Sequence, residues 1–417
     1  MPHYVRRHWA GVPGGFGRSA RSFEYDAFVP DPIADAELTF SAPAVDAISQ
    51  AERALRDVQR SSELAGLESL SHQLLRTEAV ASSWIEGLQL SHRRLARALF
   101  DAASADNTAQ AVMGNIEAME QAVRLGAEAR DLDTDDVLRI HWLLLERTPD
   151  AGTAGRLRDR QNWIGRDGSS PYHAEFIPPP EGDVPGLVAD LCAFVNRGDL
   201  PVIAKAAIAH AQFETIHPFA DGNGRVGRAL IHVVLRRRDL TPRFVPTVSL
   251  VLAGNSKAYV RGLTAFREGE VAEWVALFSA ALRTAAHRAE QLAEEIRKLQ
   301  EIWSAKAGSP RAHSAAAAII DLLPAHPLMT VATAQELTSR SKQAANEGVA
   351  ALERAGVLKQ ITVGKRNRAW EAQGLFDLVN SSEHALATSA DSAKPVRPSP
   401  AASRASRFRE RKGSTKK

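Results

Sequence analysis

From Ala44 onward apolar residues recur at three- and four-residue spacing, beginning with Val45, Ile48, Ala51, Leu55 and Val58, and that period predicts amphipathic helices. Further helices are predicted over 66–85, 91–103, 109–125 and 134–145, the last preceded by capping-type Thr and Asp residues. The period breaks at Pro149-Asp150-Ala151-Gly152. After it, Gln161 to Gly165 and Ala174 to Pro178, joined by a Gly/Ser/Pro turn, read as a short β-hairpin, and three consecutive prolines from Pro178 exclude helix and central strand alike. Helices resume over 184–196 and 201–216, another begins after Gly224, and a long charged one covers about 272–305. Residues 1–43 mix Gly, Pro and aromatic residues without a sustained period, which predicts an irregular arm packed on the body.

The resulting organisation is a mainly α chain: the arm over 1–43, a helical region over 44–108, a helical core over 109–290 and a linker helix over 291–308. Gly308-Ser309-Pro310 marks a boundary. Beyond it, helices over 315–322, 333–337 and 342–355, followed by a hairpin with a basic turn at Gly364-Lys365-Arg366-Asn367-Arg368, have the layout of a winged helix-turn-helix over 309–379. Residues 380–417, rich in Ser, Ala, Pro and Arg, are expected to be a disordered basic tail.

Composition narrows the class without changing this picture. With 44% hydrophobic and 24% charged residues among 417, the chain matches soluble globular proteins. No apolar run approaches the ~18 residues of a membrane span, so no membrane partner is expected. The N-terminus lacks the apolar core of a secretory signal, and the lone Cys192 cannot form an internal disulfide, so a reducing cytoplasm is the expected compartment. The net charge of +3 changes meaning once it is located. From Asn380 onward nine Lys/Arg face three acids, which leaves the preceding body mildly acidic.

The densest cluster of chemically useful residues is His217-Pro218-Phe219-Ala220-Asp221-Gly222-Asn223-Gly224-Arg225-Val226-Gly227-Arg228. A helix must stop before Pro218, Gly222 and Gly224 permit close approach or positive φ, and a new helix turns its N–H groups back over the loop. Arg225 and Arg228, three apart, share one face of its first turn. These donors suit a polyphosphate. Asp221 offers the single carboxylate that Mg²⁺ needs beside phosphate oxygens, and His217 is an imidazole placed to take a proton near neutral pH. His210, Glu214 and His217 also have helical spacing for a transition metal, but the anion-binding role of His217 leaves His210 and Glu214 to structural duty. His141 reads as a hydrogen-bonded core histidine.

This segment resembles the signature of the Fic family, His-x-Phe-x-(Asp/Glu)-Gly-Asn-Gly-Arg-x-x-Arg, at every specified position, and the similarity extends over about residues 45–290. The resemblance implies a Fic-type helical bundle and an enzyme that moves AMP from Mg·ATP to a Ser, Thr or Tyr hydroxyl of a target protein. In it His217 would be the general base and Asp221 would hold Mg²⁺. Asn223 would meet the α-phosphate, Gly222, Gly224 and Arg225 would line the anion hole, Arg228 would take the γ-phosphate, and Phe219 would anchor the loop. Trp163, Ile164, Gly165, Phe176 and Ile177 would belong to the flap that aligns the target. Ser82-Ser83-Trp84-Ile85-Glu86-Gly87 is similar to the family's inhibitory motif, (Ser/Thr)-x-x-x-Glu-(Gly/Asn). Ser82 and Glu86 are four apart and share a helix face, so a Glu86–Arg228 pair would occupy the guanidinium meant for the γ-phosphate.

A rival reading from another class is a DNA-binding regulator whose Fic-like region senses nucleotide or removes AMP. Residues 309–379 carry only a small positive excess, with Ser341, Lys342, Gln343 and Asn346 as polar groups on the recognition helix and Lys365, Arg366 and Arg368 on the wing. A second copy of the chain is a further candidate partner.

Overall fold

The structure is a computed structural model that describes residues 2–11, 21–60, 68–165, 170–363 and 367–391. The irregular arm expected over 1–43 is corrected by a hairpin, β1 (His3–Trp9) and β2 (Phe23–Val29), paired antiparallel from His3 with Val29 to Trp9 with Phe23. The less exposed row of β1 is Val5, Arg7 and Trp9, and Arg7 is paired with Glu181 at 2.7 Å. An arginine in the inward row blurs the alternation that would have announced a strand. The hairpin rests on another small hairpin instead of the main core, and so needs less apolar surface.

Helices α1 (Ala42–Arg60), α2 (Glu68–Ile85), α3 (His92–Phe100), α4 (Asn107–Ala127) and α5 (Thr134–Leu145) follow. The start of α5 is fixed by a capping box in which the Asp133 and Asp136 side chains each accept from the other's backbone N–H. Strands β3 (Ile164–Gly165) and β4 (Ala174–Phe176) pair antiparallel where the hairpin was expected. Then come α6 (Val184–Asn196), α7 (Val202–Ile216) and α8 (Asn223–Arg237). Every residue of α7 from Ile203 to Ile216 is buried, and α1, α6 and α8 pack on it, as do two later helices, while α2, α4 and α5 reach the core through α8.

Two short helices, α9 (Val248–Gly254) and α10 (Ser256–Arg267), lie in a stretch where no helix was predicted. Seven residues are too few to display a 3.6 period, and Asn255 separates the two while its side chain caps the second by accepting from Ala258 N–H. Helix α11 (Val271–Lys306) runs 36 residues, about 54 Å at 1.5 Å per residue, and takes in most of the expected linker helix. It packs along α1, and Trp274 at its start donates to the Ala207 carbonyl at 2.7 Å.

Close helix contact depends on small residues. A Cβ added at Gly114 of α4 would lie 2.6 Å from the Leu144 carbonyl oxygen of α5. Gly114→Ala gains ~1 kcal/mol of helix propensity but overpacks a backbone contact, at a cost of about 1–3 kcal/mol. Chemical denaturation of the variant should therefore show a net loss of stability.

The C-terminal elements are α12 (Ala315–Leu322), β5 (Leu328–Met329), α13 (Val331–Thr338), α14 (Lys342–Arg354), β6 (Leu358–Val363) and β7 (Asn367–Ala372), with antiparallel strand order β5-β7-β6. Disorder from residue 380 is corrected in part: α15 (Leu375–Asp391) continues the chain, with Leu375, Phe376 and Val379 buried. The apolar residues that open this helix, Leu375 to Val379, precede the stretch whose composition pointed to disorder, and the helix runs on past them. The basic stretch after Asp391, and Lys365 and Arg366 of the wing, lie outside the described residues. α15 packs against α3, α9 and α11, where the Glu383 carboxylate meets the His92 ring, and Arg93 of α3 also donates to Glu371 of β7 at 3.0 Å. Among the described residues no helix is long and apolar enough to cross a membrane.

Candidate functional site

The site is built where α7 ends and α8 begins. His217 closes α7 in the left-handed region, φ 49° and ψ 59°, a conformation that costs a non-glycine residue roughly 1–2 kcal/mol. Neighbouring donors hold it there. Arg158 Nε donates to the His217 carbonyl at 2.9 Å, and Asn162 Nδ2 reaches the same oxygen at 3.3 Å and the Phe219 carbonyl at 3.0 Å. Phe219 is fully buried and stacks on His141 at 3.7 Å between ring centroids. Gly222, at φ 80°, then turns the chain into α8. The first turn of that helix leaves backbone N–H groups at Asn223, Gly224 and Arg225 without intrahelical acceptors, which is the basis of an anion cradle.

Arg225 is 5% exposed and donates to Asp221 Oδ2 at 2.8 Å, while the Asp221 side chain is 56% exposed. Asn223, expected on the α-phosphate, instead spends its side-chain amide on the loop: Oδ1 accepts from Phe219 N–H and Nδ2 donates to the Phe219 carbonyl, both at 2.8 Å. Its backbone N–H and the second Nδ2–H are left for a ligand. Asp221 is suited to Mg²⁺ in the way one carboxylate can be, with one oxygen on Arg225 and the other open to an ion that takes its remaining ligands from phosphate and water. Among the described residues there is no cluster of three or more His, Cys, Asp or Glu that could hold a metal by itself.

Helix α2 lies across α8 and meets it with residues at four-residue intervals. Ser82 Oγ accepts from Arg228 Nε at 2.9 Å, the Ser82 carbonyl accepts from Arg228 Nη2 at 2.8 Å, and Glu86 Oε1 accepts from the same nitrogen at 2.7 Å. One turn on along α8, His232 faces Glu78 at 3.1 Å, and the Glu78 carboxylate also accepts from Ser249 N–H at 2.9 Å. Ser83 is held on α4 by Asn115 Nδ2 at 3.1 Å. Gly87, at φ 79°, ends the segment. A Cβ on Gly224 would overlap the Glu86 carboxylate, so the seat of Glu86 in the cradle exists only because that position is glycine.

Comparison with known proteins identifies the loop and the helix facing it. Residues 131–235 match the model of the Fic/DOC family and residues 45–124 that of the Fic/DOC family N-terminal region. The chain belongs to the Fic family. It is 28% identical over 160 residues to protein adenylyltransferase fic-1 of Caenorhabditis elegans, which covers 36% of this chain and 30% of that protein. It is 36% identical over 101 residues to a probable protein adenylyltransferase of Aquifex aeolicus, 24% of this chain and 29% of the other. The chain thus spans less than a third of the length of these curated relatives. Among solved structures, a Fic family protein from Desulfovibrio desulfuricans superposes with a TM-score of 0.50 at 20% identity, covering 81% of this chain and 98% of that one. The Fic-1 structure from C. elegans gives 0.51 at 20% identity over 61% of this chain and 74% of its own, and at these identities the likeness speaks for the fold.

Electrostatics in the Fic loop follow from burial. His217 is pushed down to about 4, first by burial and then by Arg158, so its imidazole is neutral at pH 7. Burial works against Arg228, but the Glu86 carboxylate outweighs it and holds the guanidinium above its ordinary value. Burial likewise opposes ionisation of Glu86, and Arg228 wins there too, keeping the carboxyl below its usual range. Behind the loop, His210 donates or accepts at Tyr259 Oη over 2.8 Å and Glu214 is buried, its carboxyl pushed up to about 7. Among the described residues neither belongs to a group of three that could hold a metal ion.

The residues that sequence reasoning missed are those that hold the Fic loop from behind. Arg158 is 6% exposed and spends its guanidinium on backbone oxygens, including His217 and, at 2.5 Å, Pro179, which ties the loop to the end of the flap. It sits in an irregular segment where no period marks it. His141 was read as a core histidine and is buried, but its ring also braces the loop. Its Nδ1 accepts from Gly155 N–H at 3.0 Å, so the proton is on Nε2, which donates to the Asp221 carbonyl at 3.1 Å. Of the expected flap residues, Trp163 and Ile177 pack against the N-terminal hairpin: Trp163 is edge-to-face with Trp9 at 5.6 Å, and Phe28 N–H donates to Ile177 at 2.9 Å. Ile164 and Gly165 form β3, and Phe176 carries Arg267 at 3.8 Å from its ring.

These shifts predict how stability varies with pH. Burial depresses His141 to about 4, His210 to about 3 and His217 to about 4, against 6.5 for an unfolded histidine. Between those values the unfolded chain binds more protons, so the contribution is complete above pH 6.5 and is lost as pH falls toward 4. Glu214, raised from 4.5 to about 7, acts in the opposite direction over pH 4.5–7, one proton against three. The melting temperature should therefore fall from pH 6.5 to pH 5, and His141→Phe should flatten that fall.

Proposed function

We propose that the chain is a protein adenylyltransferase that moves AMP from ATP to a hydroxyl of a target protein and is held down by its own Glu86. The observation that carries the reading is the neutral His217 imidazole fixed at the end of α7 beside the N-terminus of α8, where Arg225 and Arg228 stand ready for a phosphate chain. The names of the curated relatives support the same class of reaction. In the proposed step the target hydroxyl oxygen bonds to the α-phosphorus, its proton passes to His217, the bond from the α-phosphorus to the bridging oxygen breaks, and pyrophosphate leaves. The N–H groups at the start of α8 and Arg225 orient and stabilise the phosphates, and Arg228 takes the γ-phosphate once Glu86 has left. Asp221 would hold Mg²⁺, which when bound offsets charge on the phosphate oxygens.

Incubating the Glu86→Gly protein with α-labelled and γ-labelled ATP tests the reading. Label on protein from the α-position and none from the γ-position is expected, and label from γ would overturn it. We also read residues 309–379 as a winged-helix unit. Lys342, Gln343 and Asn346 are exposed on α14, and a gel shift of the full chain on genomic fragments that Lys342→Glu abolishes would be the sign of DNA contact.

A further inference from the structure

Directly behind the Glu86 turn lies a cavity of about 720 Å³, which is within the range of small-molecule sites. Three parts of the chain wall it: the last turn of α2 with Trp84 and Ile85, the region of α9 with Leu250 and Ala253, and α15 with Asn380 and Glu383. We propose that this cavity is a regulatory site for a small aromatic molecule that is neutral or cationic, whose entry draws Glu86 away from Arg228. The inference rests on the reading of Glu86 as inhibitory.

The lining selects the ligand. Its apolar part is made by Trp84, a partly exposed indole, with Ile85, Leu90, Leu250 and Ala253. A ring of similar size would stack or meet it edge-on, and the amide and hydroxyl groups of Gln89, Ser91, Ser256 and Asn380 offer hydrogen bonds around it. Among the described residues that line it, the one charged group is the Glu383 carboxylate, which meets His92. With no Lys or Arg among the described residues of the wall, a phosphate or carboxylate ligand would be desolvated without a counter-charge, whereas an ammonium would find one.

The link to Glu86 is a matter of two residues. Gly87 N–H donates to the Trp84 carbonyl at 2.9 Å and Glu86 N–H to the Ser83 carbonyl at 3.1 Å, so the Glu86 turn hangs on the residue that lines the cavity. The rest of α2 is pinned by Glu78 on Ser249 and His232 and by Ser83 on Asn115. Movement of Trp84 is therefore taken up in the final turn, where Glu86 sits. α15 forms the opposite wall, so occupancy is also felt by the C-terminal elements that lead into it.

One aromatic body in three charge states tests this: indole, tryptamine and indole-3-acetate, each titrated onto the full-length protein by saturation-transfer NMR. Tryptamine is expected to bind at least as tightly as indole and indole-3-acetate at least tenfold more weakly, with all binding lost in Ala253→Trp, which fills the cavity. In the wild type, saturating tryptamine should raise transfer of α-label several-fold, and in Glu86→Gly it should change nothing. Absent binding, equal binding of the anion, or binding without a rise in transfer would each overturn the proposal. The NMR arm does not depend on catalysis, so failure of the adenylylation reading would show separately, as an inert Glu86→Gly protein. Should Ala253→Trp not fold, displacement of tryptamine by indole in the wild type still shows whether the two share one site.

Discussion

In a Glu86→Gly background, His217→Ala is expected to lower transfer of α-label from ATP by on the order of 10²–10⁴-fold, the range of a positioned general base. Binding of ATP should be nearly unchanged, because the phosphate donors are the first turn of α8 and the two arginines, none of which depends on the imidazole. The pH profile carries a second signature. A histidine of ordinary environment would lose its basic form below pH 6.5, but His217 is pushed down to about 4. The acid limb of kcat/KM is therefore expected near pH 4–5, short of which the rate should stay level, provided that it is read within the time the fold survives there. A limb at 6.5 would mean that the base is another group or that the loop opens before reaction. Full activity of His217→Ala would remove the mechanism altogether.

The limits of sequence reasoning at this site have a common physical origin. The loop from His217 to Arg228 was legible because its chemistry is concentrated in one run: a proline that stops a helix, glycines that turn it, and cations at the next helix start. The Glu86 contact was legible because Ser82 and Glu86 share a helix face, and both meet Arg228 in the structure. Arg158 and Asn162 were not, because each acts through backbone carbonyls of distant residues, and a bond to a carbonyl leaves no pattern in residue type. Asn223 has a second duty that residue type does not announce: besides the phosphate its amide suggests, its two polar groups close the loop on Phe219. The N-terminal hairpin escaped notice because Arg7 interrupts the inward row of β1, where it pairs with Glu181, while a few aromatic rings seat the hairpin on the flap. Long helices that bury one apolar stripe gave a period. Elements of seven residues, such as β1, β2 and α9, did not.

Glu86→Gly is expected to raise transfer and lower stability together, and this opposition distinguishes a regulatory contact from a merely structural one. Arg228 is 1% exposed at its side chain and Glu86 35%, so the pair is buried from one side only. Its loss leaves Arg228 with two bonds to Ser82 and water on the open side, at a cost of about 1–2 kcal/mol, below the ~3–5 kcal/mol of a fully buried pair. The same vacated guanidinium becomes available to the γ-phosphate. If Glu86 must leave before ATP binds productively, each 1.4 kcal/mol that holds it in place suppresses the competent state about tenfold, so a gain on the order of 10–100-fold in transfer is expected. The two effects meet in a melting experiment. ATP at a hundred times its dissociation constant should stabilise Glu86→Gly by ~2.7 kcal/mol, recovering what the substitution lost, and should stabilise the wild type less at the same concentration. Glu86→Gln, which keeps an oxygen acceptor for Arg228 but no charge, should fall between the two in both melting temperature and transfer. Equal stabilisation of wild type and Glu86→Gly by ATP would show that Glu86 and the γ-phosphate do not compete for Arg228, and the inhibitory role would fall with it.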